Sequence, residues 1–263
     1  MKTWRFIGMA LLAVILCVNF TACSDDDEQN GNGGTAGNEM KVSTFTWDDG
    51  SWYELSYDKQ GRISNLEEYD ETGELVSYVV IDYNENNIRM TVTFPNSGRV
   101  ETSICTLNSE KLIEKTVLTY NEDIYDSETV QYTYDANGQL IGIYNTDSGE
   151  ENHLTWENGN LVKDEYKGYE EEAETVYHYT SIPSSKGYFV FFDDTMIDIF
   201  SNYDLNILAN EGCFGKVPQN LLSGGTFRSS TWELTYKLGE NGYVSKISGT
   251  ESGKNYWATL TWK

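Results

Sequence analysis

The sequence predicts an all-β fold: an antiparallel meander of repeated hairpins, curled into a closed or partly closed barrel, with one short helical or loop insertion. Three observations predict it. Apolar and polar residues alternate with period two, as in Tyr132-Thr-Tyr134 and Trp232-Glu-Leu234-Thr-Tyr236, the pattern of half-buried strands. Turn chemistry recurs between those runs: in Tyr134-Asp135-Ala136-Asn137-Gly138 an Asp can bond its own backbone, and Asn-Gly accepts positive φ. Aromatics reach 14% with 19 Tyr, against only 3 Pro, which suits pleated strands better than helices.

Taken in order, strand pattern starts near Lys41, where Phe45 and Trp47 alternate with Thr44 and Thr46, and Asp48-Asp49-Gly50 turns the chain. Tyr53, Leu55 and Tyr57 then share one face, with Trp52, Glu54 and Ser56 on the other. Tyr57-Asp58-Lys59-Gln60-Gly61-Arg62-Ile63 is a full hairpin unit, and Asp70 to Gly73 reverses its return strand. Further strands are expected at Tyr78 to Tyr83, Thr91 to Phe94, Ile104 to Leu107, Leu112 to Tyr120 and Thr129 to Tyr134. The last of these leads into the best-preserved turn, and Trp156-Glu157-Asn158-Gly159 is a shortened copy of it. Val176 to Tyr179 closes this series. From 182 to 225 the pattern fails, and Asp193 to Asn210 there has near-helical apolar spacing, with Asp193, Asp194 or Thr195 as cap and Gly212 as stop. Gly212 to Gly225 reads as a glycine-rich loop. Alternation resumes at Trp232 and runs to Trp262.

The unit ends Tyr57, Tyr83, Leu107, Tyr134, Trp156, Tyr236 and Trp262 are spaced by 26, 24, 27, 22, 80 and 26 residues. One two-stranded hairpin fits each short interval, giving at least twelve strands. A sheet that wide must curl, split or close, because twist accumulates and bare edges invite association. Closure with the 182–225 insertion as plug or cap is the expected solution. A membrane-spanning barrel is disfavoured, because Glu54, Gln131, Thr133, Glu233 and Lys237 stand opposite the apolar face where lipid would require apolar side chains.

The first 22 residues have the form of a signal peptide: Lys2 and Arg5, then an apolar run from Ile7 to Val18, shorter than the ~20 residues a spanning helix needs. Phe20-Thr21-Ala22-Cys23 resembles a bacterial lipobox, which implies a lipid on Cys23; the alternative is cleavage after Ala22 without lipid. Ser24-Asp25-Asp26-Asp27-Glu28 resembles the acidic signal that sends Bacteroides-type lipoproteins to the outer face of the outer membrane. Residues 29–40 are Gly/Asn-rich and read as a flexible linker. The chain thus divides into a signal peptide (1–22), a lipidated Cys with acidic spacer and linker (23–41), and a single β-hairpin-repeat domain (42–263).

Net charge is −24, which excludes nucleic acid as a partner, since phosphate binding needs a basic footprint. No catalytic signature is present. The two histidines, His153 and His178, lie on polar strands without triad partners nearby in sequence, and no Asp-x-Asp-x-Asp-Gly loop is present, so no metal or other cofactor is expected. Cys105 and Cys213 are a candidate disulfide, with two buried free thiols as the competing reading. Trp52 and Trp257 are out of phase with their apolar strand faces. Exposed, they could stack on sugar rings; the competing reading is rim packing against a neighbouring loop.

Tyr57 to Ile63 and Tyr134 to Leu140 look like the YD repeat of Rhs-type proteins, whose hairpins spiral into large shells. More broadly, a lipobox, an acidic spacer and a domain of such hairpins resemble uncharacterised Bacteroides-type lipoproteins with a porin-like β fold. That resemblance implies an outer-membrane, lipid-anchored, surface-exposed protein and carries no functional residues. The function expected is a non-catalytic domain that binds an extracellular ligand such as a glycan, touching the membrane only through its anchor. The alternatives are a structural or interaction subunit of an outer-membrane complex, and a glycoside hydrolase using paired carboxylates.

Overall fold

Alternation along the chain becomes an inside and an outside of one wall. The computed structural model describes residues 40–120, 123–169, 171–187, 205–251 and 253–263. The leader, Cys23, the acidic spacer and linker through residue 39, and the 193–204 part of the expected helix lie outside the described residues. Sixteen strands follow in order: β1 (Val42–Trp47), β2 (Trp52–Tyr57), β3 (Ile63–Tyr69), β4 (Leu75–Tyr83), β5 (Asn87–Phe94), β6 (Arg99–Leu107), β7 (Ile113–Tyr120), β8 (Asp123–Tyr134), β9 (Leu140–Asn145), β10 (Glu151–Glu157), β11 (Asn160–Lys167), β12 (Glu172–Pro183), β13 (Asn220–Phe227), β14 (Ser230–Leu238), β15 (Val244–Glu251) and β16 (Lys254–Trp262). Each pairs antiparallel with its sequence neighbours, and β1 pairs with β16, so the sheet is a closed barrel without a free edge. The Lys41 N–H donates to Lys263 O at 2.8 Å, and the Lys263 N–H donates to Lys41 O at 2.7 Å, completing the closure.

Phe45, Leu55, Leu66, Val79 and Met90 point inward and are buried. Glu54, Gln131, Thr133, Glu233 and Lys237 point outward and are exposed. The polarity is therefore that of a protein with an apolar core and a solvated outer wall, the reverse of a lipid-facing barrel with a polar lumen.

A sixteen-stranded wall encloses more space than its own side chains fill. Among the described residues between β12 and β13, those from 205 to 214 fill part of it. The segment runs from the 3-10 turn Ser184–Lys186 to residue 219 and carries a short helix, α1 (Leu205–Asn210), all six of whose residues are buried. Leu205, Ile207, Leu208 and Phe214 join the core of the barrel, and Phe214 meets Tyr132 edge-on at 4.8 Å. The backbone is stitched to the wall: the Ile113 N–H donates to Cys213 O at 2.8 Å, the Lys216 N–H to Gly138 O at 2.8 Å, and the Gln219 N–H to Gly159 O at 3.0 Å. The expected plug is thus present, and its helix α1 stops at Asn210, two residues before Gly212, whose φ is +73°.

Two expectations are corrected. The stretch from 220 to 225 is not loop but the first part of β13. It is glycine-rich because the ring of Trp232 on β14 occupies the space: a Cβ on Gly225 would stand 2.6 Å from that ring. The interval of 80 residues between unit ends also hides one more, Tyr179 on β12, whose turn was replaced by the plug.

The unit ends all lie at the plugged end of the barrel, and six of them, all but Leu107 and Tyr236, do one job. The Tyr57 hydroxyl donates to Val42 O at 2.7 Å, Tyr83 to Ile63 O at 3.0 Å, Tyr134 to Ile113 O at 2.5 Å and Tyr179 to Leu161 O at 2.6 Å. The indole N–H groups of Trp156 and Trp262 donate to Leu140 O and Val244 O, each at 2.7 Å. Each of these aromatics therefore ties its hairpin to the preceding one, at a carbonyl near the start of that hairpin's return strand. The turns beside them are built by Asx side chains. Asp135 Oδ1 accepts the Asn137 N–H at 2.9 Å and the Gln139 N–H at 2.8 Å, and Asn108 Oδ1 does the same for Glu110 and Leu112. The Gln139 N–H is the main reason the Asp135 carboxyl lies below its ordinary value. Tyr134→Phe is expected to lower stability by about 1–1.5 kcal/mol, the net worth of one buried hydrogen bond whose acceptor stays behind. Urea midpoints check it, and an unchanged midpoint would mean that the hydroxyl bond to Ile113 O adds nothing to stability.

Candidate functional site on the outer wall

The two out-of-phase tryptophans both stand on the outside of the barrel, on strands that flank β1. Thr46 of β1 pairs with Trp52 of β2 on one side and with Thr259 of β16 on the other. Trp257 lies two residues from Thr259 on the same face. Strand spacing then separates the two tryptophan Cα atoms by about 12 Å, two inter-strand steps sideways and two residues along.

Neither ring stands alone. Trp52 is stacked on Tyr69 of β3, its cross-strand partner, with centroids 4.9 Å apart and planes at 12°. Its indole N–H donates to Glu54 Oε1 at 3.2 Å, and the Tyr69 hydroxyl donates to Glu67 Oε2 at 2.7 Å. That bond, more than desolvation, raises the Tyr69 phenol above its ordinary value. Glu54 and Glu67 are themselves cross-strand neighbours, so two carboxylates brace two rings on an open wall. Trp257 is 38% exposed, which places it among the most exposed large apolar side chains described, and the Lys246 ammonium sits 4.3 Å from its ring centroid. The backbone N–H of Trp257 donates to Asp48 Oδ2 at 3.3 Å, which fixes the β1–β2 turn against β16. The result is a shallow patch of flat rings, threonines and carboxylates.

Beside it, at the hairpin tips of β13–β14 and β15–β16, lies a hollow of about 380 Å³ lined by Ser229, Ser230, Thr231, Glu233, Thr250 and Gly253. Tyr69, Lys246 and this hollow were not singled out in the sequence. Cross-strand register brings them to the tryptophans, and register is not a local signal.

The other candidate residues fall elsewhere. His153 and His178 are exposed on the outer wall, and His153 Nε2 lies 3.8 Å from Glu151 Oε2. Among the described residues no group of three or more His, Cys, Asp or Glu side chains is placed to hold a metal ion. Cys105 and Cys213 are both free thiols, one on the wall and one in the plug. Burial pushes the Cys105 thiol up to about 11 and the Cys213 thiol higher still, so both act as apolar core groups at neutral pH. Inside the barrel, toward the end away from the plug, the wall turns polar. The Ser77 hydroxyl donates to Glu68 Oε2 at 2.7 Å, and the Asn152 amide donates to both Asp164 oxygens at 3.0 and 3.1 Å. These groups satisfy one another, as buried polar groups must.

A family model described as a domain of unknown function (DUF4595) with porin-like fold matches residues 55–246. A porin-like protein from Bacteroides uniformis ATCC 8492 is similar in structure, with TM-score 0.62 at 16% identity, over 84% of this chain and 96% of that one. A porin-like protein from Bacteroides vulgatus ATCC 8482 is similar with TM-score 0.54 at 12% identity, over 84% of this chain and 97% of that one. At these identities the likeness is one of fold alone. No curated protein matches the chain.

Proposed function

The chain belongs to the family described as a domain of unknown function (DUF4595) with porin-like fold, and from that premise we propose a non-catalytic binding module, held at the outer-membrane surface by a lipid on Cys23, whose outer-wall aromatic patch contacts extracellular glycan. The observation that carries the reading is the ring set on the outer face of neighbouring strands: half-buried Trp52 stacked on half-buried Tyr69, with exposed Trp257 on the far side of β1. Flat amphipathic rings with carboxylate and hydroxyl neighbours suit a sugar, which offers an apolar face to the ring and hydroxyls to the acceptors.

Porin-like describes the strand architecture; the walls here have the wrong polarity to span lipid, so the module needs a separate anchor. Position supports the same picture. The tether reaches the barrel at Lys41, at the plugged end, where Lys41 pairs with Lys263. Trp257 and the β1–β2 turn lie at the opposite end, away from the attachment point. A linker of twelve residues spans roughly 20 Å on average, enough to lift the barrel clear of headgroups.

Native affinity electrophoresis of residues 40–263, which contain every strand of the closed barrel, tests the ligand. Retardation in at least one polysaccharide gel is expected, with Trp52→Ala and Trp257→Ala each weakening it about tenfold, as loss of ~1.4 kcal/mol of ring stacking implies. No retardation in any gel, or retardation indifferent to both substitutions, sinks the glycan reading. For the anchor, the full chain is expected to incorporate an alkynyl fatty acid and Cys23→Ala to incorporate none. Equal labelling of the two would place the lipid elsewhere.

A further inference from the structure

We infer that the aromatic patch and the hydroxyl-lined hollow beside it are two subsites of one binding surface, which takes a linear, uncharged polysaccharide laid across the strands; the inference rests on the glycan reading of the patch and adds its length and charge selectivity.

Register places the two side by side. Glu233 pairs with Thr250, Thr250 with Asn255, and Trp257 follows two residues later on the same outward face of β16. Thr250 and Trp257 are thus diagonal neighbours, about 8 Å apart by strand geometry. From Glu233 on β14 to Trp52 on β2 is four inter-strand steps, about 19 Å. A mono- or disaccharide cannot cover that distance, whereas a longer chain can.

The chemistry changes along this line in the way a sugar chain requires. The hollow offers four hydroxyls, from Ser229, Ser230, Thr231 and Thr250, and the Glu233 carboxylate. Hydroxyls donate and accept, and the carboxylate accepts only, which matches the many hydroxyl groups of one sugar ring. Thr250 Oγ1 already donates to Asn255 Oδ1 at 2.8 Å, so its lone pairs remain to accept. The hollow is open at its tip: a Cβ on Gly253 would meet nothing within 4 Å. Next along the line stand Trp257, then Thr259 and Thr46 as a low floor between the rings, then Trp52 stacked on Tyr69. Polar contacts fix a ring's orientation at one end, and flat faces take apolar sugar faces further on.

Charge decides which glycan. Glu233, Asp48, Glu54 and Glu67 border the line and outnumber the Lys246 ammonium that sits over Trp257, on a protein of net charge −24. Chains bearing uronate or sulfate groups meet like charge along this surface and are repelled, most strongly at low salt. A neutral chain is not.

Isothermal titration of the 40–263 barrel with neutral β-1,4-linked gluco- and manno-oligosaccharides, from di- to hexasaccharide, and with an oligogalacturonate tests it. Affinity for a neutral series is expected to rise with length, and the oligogalacturonate to bind at least tenfold more weakly. Thr250→Val and Glu233→Gln are expected to weaken the hexasaccharide about fivefold and leave the disaccharide unchanged, whereas Trp257→Ala weakens every length. If the tryptophan variants lose binding but the hollow variants do not alter the hexasaccharide, the second subsite is overturned and the aromatic patch stands. Tighter binding of the galacturonate overturns the charge selectivity. No binding of any glycan by the unsubstituted barrel overturns both the patch and its extension.

Discussion

Glu211→Gln is expected to stabilise the barrel by about 2–3 kcal/mol near pH 8 and by almost nothing near pH 4. Glu211 follows α1 in the plug and is 9% exposed. Its Oε1 accepts the backbone N–H of Ile63, at the start of β3, at 3.2 Å. Desolvation by burial, only partly offset by that bond and by Lys41 and Arg62, raises its carboxyl from the ordinary 4.5 to about 7, with Asp58 adding repulsion. Tyr57, Tyr83 and Cys213 feel the carboxylate in turn, each with a proton held more tightly. A carboxyl raised on folding binds its proton more firmly in the native state. Below about pH 4.5 it is protonated folded or unfolded and contributes nothing. Between about pH 4.5 and about pH 7 the unfolded chain gives up this proton while the native state keeps it, so stability falls across that window and levels off once the native carboxyl ionises too. The full rise corresponds to about 3 kcal/mol, and Gln keeps the acceptor oxygen for Ile63 without the charge. For a chain of this size that is about 5–10 °C of melting temperature. Thermal melts of both proteins across the pH range check it. Two stability curves running parallel with pH would mean that Glu211 is solvated or paired in the native state.

Gly215→Ala is expected to lower stability by about 3 kcal/mol or more and to unseat the plug. Gly215 has φ +88°, and a Cβ there would stand 2.3 Å from Gly138 O, the carbonyl that accepts the Lys216 N–H. Two penalties combine: a left-handed backbone worth about 1 kcal/mol against Ala, and a clash with backbone that no rotamer relieves. Gly98 separates them. Its φ of +70° is similar, but a Cβ would meet nothing within 4 Å, so Gly98→Ala should lose only about 1 kcal/mol. Urea unfolding gives the totals. Hydrogen exchange at the Ile113 and Lys216 amides reports the plug directly, and both should exchange faster in Gly215→Ala. Equal losses in the two variants would mean that the plug yields without resistance.

The hairpin units were legible because their chemistry is local. Asp135 builds its turn with Asn137 and Gln139, all within five residues, and the same logic holds at Asp58 and Asp70. The copy at Asn108-Ser-Glu-Lys111 lacks glycine, yet it keeps the turn because the Asn carbonyl does the bonding, with Lys111 forced to φ +64°. Inward and outward faces also followed from period two. What escaped was non-local. Tyr179 was invisible as a unit end because its turn is replaced by the plug. The glycines of β13 read as loop because the ring that fills their space, Trp232, belongs to the next strand. Trp52 and Trp257 could be flagged as out of phase, but Tyr69 and Lys246 became their partners only through register.

The sequence by itself determined strands, turns, the two faces of the wall and the place where the repeat breaks, because period-two alternation and Asx turns act over a handful of residues. Closure around the break is expected from the sequence; tertiary structure alone decided that the strands number sixteen, that β1 seals against β16, that α1 of the break packs in the core, and that rings from β2, β3 and β16 share one face. Those outcomes depend on pairing partners as far apart as β1 and β16 and on the volume a closed wall leaves to be filled, quantities that no local stretch of chain encodes.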